Sequence, residues 1–379
     1  MTTPSALWER ARFDWDTSGN RTLASARHLS DTALAVRPGW QTFRAGPVTV
    51  AYGGYRAGRS HVLPFLRERA RAAGLATGEV REGAPGGRLP DAELVAFGCS
   101  ARRAAALPTA GAVVAPFRVH LVLPLATAGE RRPLVVSRKE RQRFARERVS
   151  RGWKLEPTDD EADFGYFYRR MHLPTMARRH GEATRSVGPA AARDAILARG
   201  VLFFVTEHGE RRAGMLCRLD RPGRTLTLRL AGVLDGADEH YRSGIFMAMY
   251  ILIARWAAEQ RLARLDLSGS EPFLSKGILQ FKRKLHPHVE LPPNHFAAKR
   301  LWIGARRDTP AVRDLLAANP VVAMGPSGRF EAVYFHDARR PPRTDLRWEG
   351  LNIPSARHVH LDAFLAGLPT GAGAVRPCA

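Results

Sequence analysis

Leu265–Lys284, LDLSGSEPFLSKGILQFKRK, is the stretch that decides the fold of this chain. Its opening residues, with Ala263 and Arg264 before them, follow an apolar helix-like run and read as a short strand. Ser268-Gly269-Ser270 reads as a small-residue turn, and the stretch ends in the basic Lys282-Arg283-Lys284. Just upstream, residues 242–260 read as a helix. Its longest apolar run, Gly244 to Ala254, is about half of a membrane span and so predicts a buried helix. Before it, residues 201–206, 213–219 and 225–231 alternate in polarity. His208-Gly209 and Pro222-Gly223 separate them, which predicts an antiparallel meander.

Farther upstream, residues 158–180 predict a helix. Acidic residues at its start suit the positive end of the helix dipole, and Pro174 kinks or breaks it. A shorter helix follows at 190–199. SRKERQRFARERVSR, residues 137–151, predicts a charged helix, and residues 131–151 hold nine basic and two acidic side chains, a net +7. Pairs such as Glu140–Arg143 suit a solvated helix, but seven excess charges are more than pairing needs and favour an anion-facing surface. Toward the N-terminus, strands are expected at 48–52, 93–100 and 112–125, the last broken by Pro116, with a helix at 64–73 and a loop at 82–91. Residues 1–40 look irregular, with Trp8, Trp15 and Trp40 as anchors. Toward the other end, a helix at 310–318 and strands at 320–324 and 330–336 precede a frayed tail, PTGAGAVRPCA.

The 379 residues suggest two domains, and 45% hydrophobic content supports real cores. Basic residues exceed acidic ones by 59 to 36, a formal +23. Such a surface concentrates polyanions: nucleic acid, anionic lipid or a phosphorylated substrate. Cys99, Cys217 and Cys378 are widely spaced and form no CxxC, so neither a zinc ribbon nor a disulfide framework is suggested, and a reduced cytoplasm fits. The N-terminus has early charges and no apolar core of a signal peptide.

Four pieces, in order, resemble the Fem-like peptidyltransferase branch of the GNAT superfamily. They are PFRVHLVLPL with the basic helix, FYRRMHLPTMARRHGE, the meander with AGMLCRL, and RLDLSGSEP with GILQFKRKL. The resemblance covers roughly residues 95–290. It implies an α/β (α+β) chain of two GNAT-like domains with mixed, mainly antiparallel sheets flanked by helices. An N-terminal domain at 1–130, a catalytic domain at 131–300 and a C-terminal extension at 301–379 are expected. The implied activity is acyl transfer to an amine on a small molecule or peptide, from aminoacyl-tRNA as co-substrate. Acetyl-CoA is the alternative donor, and a non-catalytic nucleic-acid-binding protein is the reading from another class. The family's Phe-Lys pair matches Phe281 and Lys282, so Lys282 is expected to contact anionic substrate groups, with Arg283 and Lys284 beside it. An ordinary pyrophosphate loop is poorly matched by DGADEHYRSGIF, where Tyr241 and Arg242 approach the helix but Asp235, Asp238 and Glu239 oppose an anion.

Aminolysis of an activated ester needs a neutral amine, a held carbonyl and little else. Asp266 and Glu271 bracket the Ser268–Ser270 turn and are candidates for the base, as is Asp235. Asp266 equally suits a turn cap, and Ser268 and Ser270 suit turn formers. Arg138, Lys139, Arg141, Arg143 and Arg146 are the expected phosphate contacts. No metal site is expected: His286 and His288 have strand spacing but no fixed partner, and His358 and His360 read as strand or surface residues. His172 and His180 are expected at the surface of their helix, and Cys99 inside a strand.

Overall fold

The computed structural model describes residues 4–35, 39–85, 90–127, 130–131, 133–180, 187–325 and 327–368. The tail 369–379 with Cys378, and residues 86–89 of the expected loop, lie outside them. The strands are β1 Gly39–Ala45, β2 Val48–Gly54, β3 Arg81–Pro85, β4 Leu94–Ser100, β5 Ala112–Pro116, β6 Val119–Pro124, β7 Ala126–Thr127, β8 Glu130–Arg131, β9 Lys154–Thr158, β10 Gly200–Glu207, β11 Glu210–Asp220, β12 Thr225–Val233, β13 Arg264–Ser270, β14 His288–Glu290, β15 Lys299–Ala305, β16 Val321–Met324, β17 Phe330–His336 and β18 Ser355–His360. The α-helices are α1 Pro4–Thr17, α2 Arg21–Leu34, α3 Ala57–His61, α4 Leu63–Ala72, α5 Ala101–Ala105, α6 Arg138–Ser150, α7 Glu161–Phe167, α8 Leu173–His180, α9 Pro189–Ala195, α10 Asp238–Ser243, α11 Ile245–Glu259, α12 Gly277–Arg283, α13 Pro310–Ala318 and α14 Leu361–Phe364. Mixed, mainly antiparallel sheets flanked by helices make this an α/β chain.

The chain divides into two compact units that are not consecutive in sequence. One comprises residues 1–17, 120–268 and 282–290; the other comprises 18–119, 269–281 and 291–379. The division differs from consecutive blocks at 1–130, 131–300 and 301–379. Residues 301–379 join the unit that holds the N-terminal strands because β15 inserts between β4 and β5.

In the first unit the sheet order is β14-β6-β13-β12-β11-β10-β9. The meander forms as its alternation predicts, and His208-Gly209, both at positive φ, make the two-residue turn between β10 and β11. After β12 and the short α10 the chain enters α11, which is apolar on all sides from Ile245 to Ala254, as a buried helix is. Its Trp256 packs edge-on against Phe203 of β10 at 4.8 Å between ring centres. β13 then returns parallel to β12.

That parallel pair is short. Thr225–Thr227 pair with Arg264–Asp266, and there the register ends, although both strands run on. Two local features part them. β12 shifts register against β11 so that Arg229 is an extra residue, a bulge that turns the strand. Ser268 in β13 takes a left-handed φ of 69°, which few non-glycine residues adopt. The half of β12 that leaves β13 is taken up by a π-helical turn, Tyr168–His172. His172 Nδ1 lies 2.9 Å from the Ala231 carbonyl, and Thr175 Oγ1 accepts from the Val233 N–H at 2.9 Å. Gly232 permits this approach: a Cβ there would sit 2.5 Å from the Met171 carbonyl carbon. His172 is therefore buried rather than at the surface, and the helix continues through Pro174 without a break. The π-turn ends two residues before the proline, and its wider hydrogen-bond spacing suits a chain about to lose an N–H donor. The side chain of His180 lies outside the described residues.

In the second unit the sheet order is β3-β1-β2-β4-β15-β5. It also contains a parallel pair, β2 with β4, but this one closes fully, from Val50–Gly54 against Leu94–Gly98. Gly54, at φ 93°, lets the backbones touch where any side chain would overlap the Gly98 carbonyl. The Tyr55 N–H then bonds that same carbonyl at 3.1 Å and carries the ladder past the strand end. Cys99 is buried in β4, where loss of water pushes its thiol up to about 12.

Residues 1–40 contain two helices instead of irregular chain; Trp40 anchors as expected, stacked on Phe97 at 5.8 Å between ring centres, while Trp8 is 70% exposed and Phe13 is buried. α2 has no buried residue. It is held to the second unit by Asp31, which pairs with Lys299 and His295, and by Thr32, whose hydroxyl meets that of Tyr55 at 3.1 Å. Lys299 is 0% exposed and lies 4.6 Å from the Tyr55 ring centre and 4.9 Å from that of Phe296. Burial alone raises the Asp31 carboxyl, but hydrogen bonds from His295 and Lys299 override it and hold it at about 2. A lowered carboxyl contributes stability that is complete above its ordinary value and is lost as pH falls through the folded one. The stability gap between wild type and Asp31→Asn, read from urea midpoints, is expected to narrow between about pH 4 and pH 2. A constant gap removes this linkage.

Candidate active site

The parting of β12 and β13 places a cluster of ionisable side chains in the first unit. Asp266, the last paired residue of β13, is 5% exposed. One carboxylate oxygen accepts the Ser268 N–H at 2.8 Å, an Asx turn that caps the bend. The other lies 2.8 Å from Nδ1 of His120 on β6. Lys282, at the end of α12 and 4% exposed, is close enough to act on Asp266 by its charge. Burial alone raises the Asp266 carboxyl. The His120 hydrogen bond and charge, the Ser268 N–H and the Lys282 ammonium reverse this and hold it below the ordinary carboxylate range. Asp266 is thus an ionised acceptor. It suits orienting His120 better than taking a proton itself: Nδ1–H donates to Asp266, and Nε2 is left as the basic nitrogen.

His120 is the residue that the sequence did not mark as part of a site. It sits in the apolar run VHLVL and reads as one more strand position. A histidine flanked by four aliphatic residues was the available signal, since a buried imidazole needs a partner.

Glu271 falls in the second unit with Ser270 and Phe281, while Asp266, Ser268 and Lys282 fall in the first. Glu271 is 7% exposed among His61, Arg118 and Lys276. Burial raises its carboxyl, but the His61 hydrogen bond and the charges of Arg118 and Lys276 drive it far below the usual range. So firmly ionised a carboxylate is a weak base.

The basic helix forms as expected, at Arg138–Ser150. Phe144 is its buried anchor, stacked on Trp153 and covered by the Arg255 guanidinium at 4.8 Å. Glu140 pairs with Lys284 at 2.7 Å instead of with Arg143, and this commits Lys284 to holding the helix. Arg138, Lys139 and Arg141 are exposed. Arg146 pairs with Glu147 at 3.0 Å. Arg143 turns away from the exposed face and donates to the Arg242 carbonyl at 2.6 Å, over Gly244 at the start of α11. Tyr241 lies under the Arg179 guanidinium at 4.0 Å, Arg242 is exposed, and Arg283 is half-buried.

Two of the three acids of the turn before α11 are paired with arginines. Asp235 pairs with Arg170 at 2.9 Å, and Asp238 pairs with Arg178 at 3.2 Å and Arg179 at 2.7 Å. Their opposition to an anion at α11 is therefore largely cancelled. Among the described residues no group of three or more His, Cys, Asp or Glu side chains could hold a metal ion. Among them, too, no helix is long and apolar enough to cross a membrane.

No family model matches this sequence, and no curated protein matches it. Among solved structures the chain is similar to L-PGS from Bacillus licheniformis, with 13% identity over 83% of this chain and 96% of that one and a TM-score of 0.36. It is similar to the C-terminal domain of a putative lysylphosphatidylglycerol synthetase from Agrobacterium fabrum, at 14% identity, 82% and 93% coverage and a TM-score of 0.36. It is also similar to FemX, at 13% identity, 67% and 81% coverage and a TM-score of 0.38. Strand order and register, rather than these likenesses, carry the description of the fold.

Proposed function

We propose that this chain is an acyltransferase that forms an amide bond, with its chemistry at the parting of β12 and β13. The observation that carries the reading is the convergence of Asp266, His120 and Lys282 where that parallel pair ends. The acceptor amine attacks the activated carbonyl carbon of the donor, and a tetrahedral oxyanion forms. His120 Nε2 takes the proton from the attacking nitrogen, and Asp266 stabilises the resulting imidazolium. Lys282 offsets the negative charge of the oxyanion. The donor's hydroxyl or thiol then leaves with the proton that His120 returns. No covalent enzyme intermediate is needed, because the donor ester is already activated.

Aminoacyl-tRNA is the proposed donor. The formal charge of +23 and the exposed Arg138, Lys139 and Arg141 support it. An acyl-CoA donor is the second reading, favoured by the neutralised Asp235 and Asp238 and by Arg143 at the start of α11. Incubation with charged tRNA or with acetyl-CoA, followed by mass analysis of an amine acceptor, separates the two. Product from charged tRNA that RNase abolishes supports the first; product from acetyl-CoA alone, indifferent to RNase, removes it. Changing Arg138, Lys139 and Arg141 together to Gln is expected to flatten the slope of log affinity for tRNA against log salt by roughly three units, about one per phosphate contact. An unchanged slope takes the helix out of the tRNA contact.

A further inference from the structure

The Glu271 cluster in the second unit is looser than three of the close ion pairs elsewhere in the chain. Lys284–Glu140, Arg307–Glu93 and Arg313–Asp308 close to 2.7, 2.6 and 2.7 Å, the range of a tight charge-assisted bond. Around Glu271 three groups converge but none closes: Arg118 stands at 3.5 Å, Lys276 at 3.4 Å and His61 Nδ1 at 3.4 Å. Each of the three is also mostly buried. Arg118 also lies against His61 Nδ1, so two permanent cations, Arg118 and Lys276, face one carboxylate. A surplus positive charge withdrawn from water is costly unless an anion joins it.

Two further features accompany the cluster. The Ser270 hydroxyl, 1% exposed and next in the chain to Glu271, has no hydrogen-bond partner. Apolar ring faces hold the cations in position: Phe296 lies 5.9 Å from the Arg118 guanidinium and edge-on to His61, and Phe65 lies 4.6 Å from the Lys276 ammonium. A cation braced on a ring on one side and loosely paired on the other keeps capacity for a second anion.

We infer that Arg118 and Lys276, braced around Glu271, form a binding site for an oxyanion, either a carboxylate or a phosphate group of a ligand. Glu271 lowers the charge of the empty site and sets its two cations apart. The inference does not depend on the proposed acyl transfer.

The test is thermal unfolding of the full chain at fixed ionic strength, with chloride replaced by inorganic phosphate or by acetate. Wild type is expected to show a saturable rise in Tm with at least one of them, as mass action on a folded-state site requires. Phosphate alone identifies a phosphate site, acetate alone a carboxylate site, and both identify a site open to either. Arg118→Gln and Lys276→Met are each expected to weaken half-saturation about tenfold or more, the loss of one charge-assisted bond. Lys276 is the more exposed of the two, so Lys276→Met carries the test if Arg118→Gln does not fold. Glu271→Gln is expected to lower Tm in chloride and to enlarge the rise with the anion, a sign that a purely structural carboxylate does not give. The exposed α5 pair Arg102→Gln with Arg103→Gln is expected to keep the response. No rise in wild type with either anion overturns the inference, as does a rise that persists in both Arg118→Gln and Lys276→Met.

Discussion

Asp266→Asn is expected to lower turnover about a thousandfold while the protein still folds, within the range that a positioned acid–base group contributes. The asparagine carbonyl can keep the Ser268 N–H, now 2.8 Å from the carboxylate, so the bend in β13 survives. What changes is the other oxygen. It now accepts from His120 Nδ1 at 2.8 Å, and an amide NH₂ in its place donates to that nitrogen. The imidazole then carries its proton on Nε2, facing the reaction with a donor where a base is needed. His120→Asn is expected to fall to a similar rate, and the double variant to fall little further, because residues that act as one unit are not additive. The measurement is single-turnover amide formation with circular dichroism of each variant. A folded Asp266→Asn within threefold of wild type removes the pair from the mechanism.

Lys282→Met is expected to cost about a hundredfold to a thousandfold in kcat, the usual effect of losing one donor to a developing oxyanion. Methionine keeps most of the buried stem volume and deletes the charge, so packing changes little at a site 4% exposed. Because the ammonium lowers the Asp266 carboxyl, its loss raises that carboxyl, and the acid limb of the pH–rate profile is expected to move to higher pH. Lys282→Arg is not expected to rescue turnover, since a planar fork does not occupy the space of a compact ammonium. A rise in KM with kcat unchanged would assign Lys282 to ground-state binding and sink its role in the chemical step.

Much of the first unit was legible because its elements carry simple periods. The meander, the apolar helix and the returning strand show alternation, a long apolar run and turn residues where expected. α1 and α2 were missed because neither has an apolar stripe, and α2 is held by two polar contacts in place of a buried face. β15 was missed because Lys299, Arg300 and Trp302 do not look like a central strand, although the lysine is buried through a pair 268 residues away. The same limit hid the site. Asp266 was visible from its turn, but its partner His120 is 146 residues upstream, and spacing along the chain holds no trace of that contact. Glu271 showed the reverse failure. Six residues from Asp266 by inclusive count, it looked equivalent, and only its neighbours Arg118, Lys276 and His61 distinguish the two.

The π-turn at Tyr168–His172 makes the chain intolerant of a kind of change that exposed helices absorb easily. It holds one more residue than an α-helical turn of the same height. Deleting one residue there closes the turn to an α-helix whose flanking turns keep their angular register, and what is lost is the widening that brings His172 to the Ala231 carbonyl. The Ala231 carbonyl then loses its imidazole partner inside the packed face of β12. Length in this helix is therefore constrained more tightly than composition. Homologous chains that keep the divergent strands are expected to vary in residue identity here but not to lose a position.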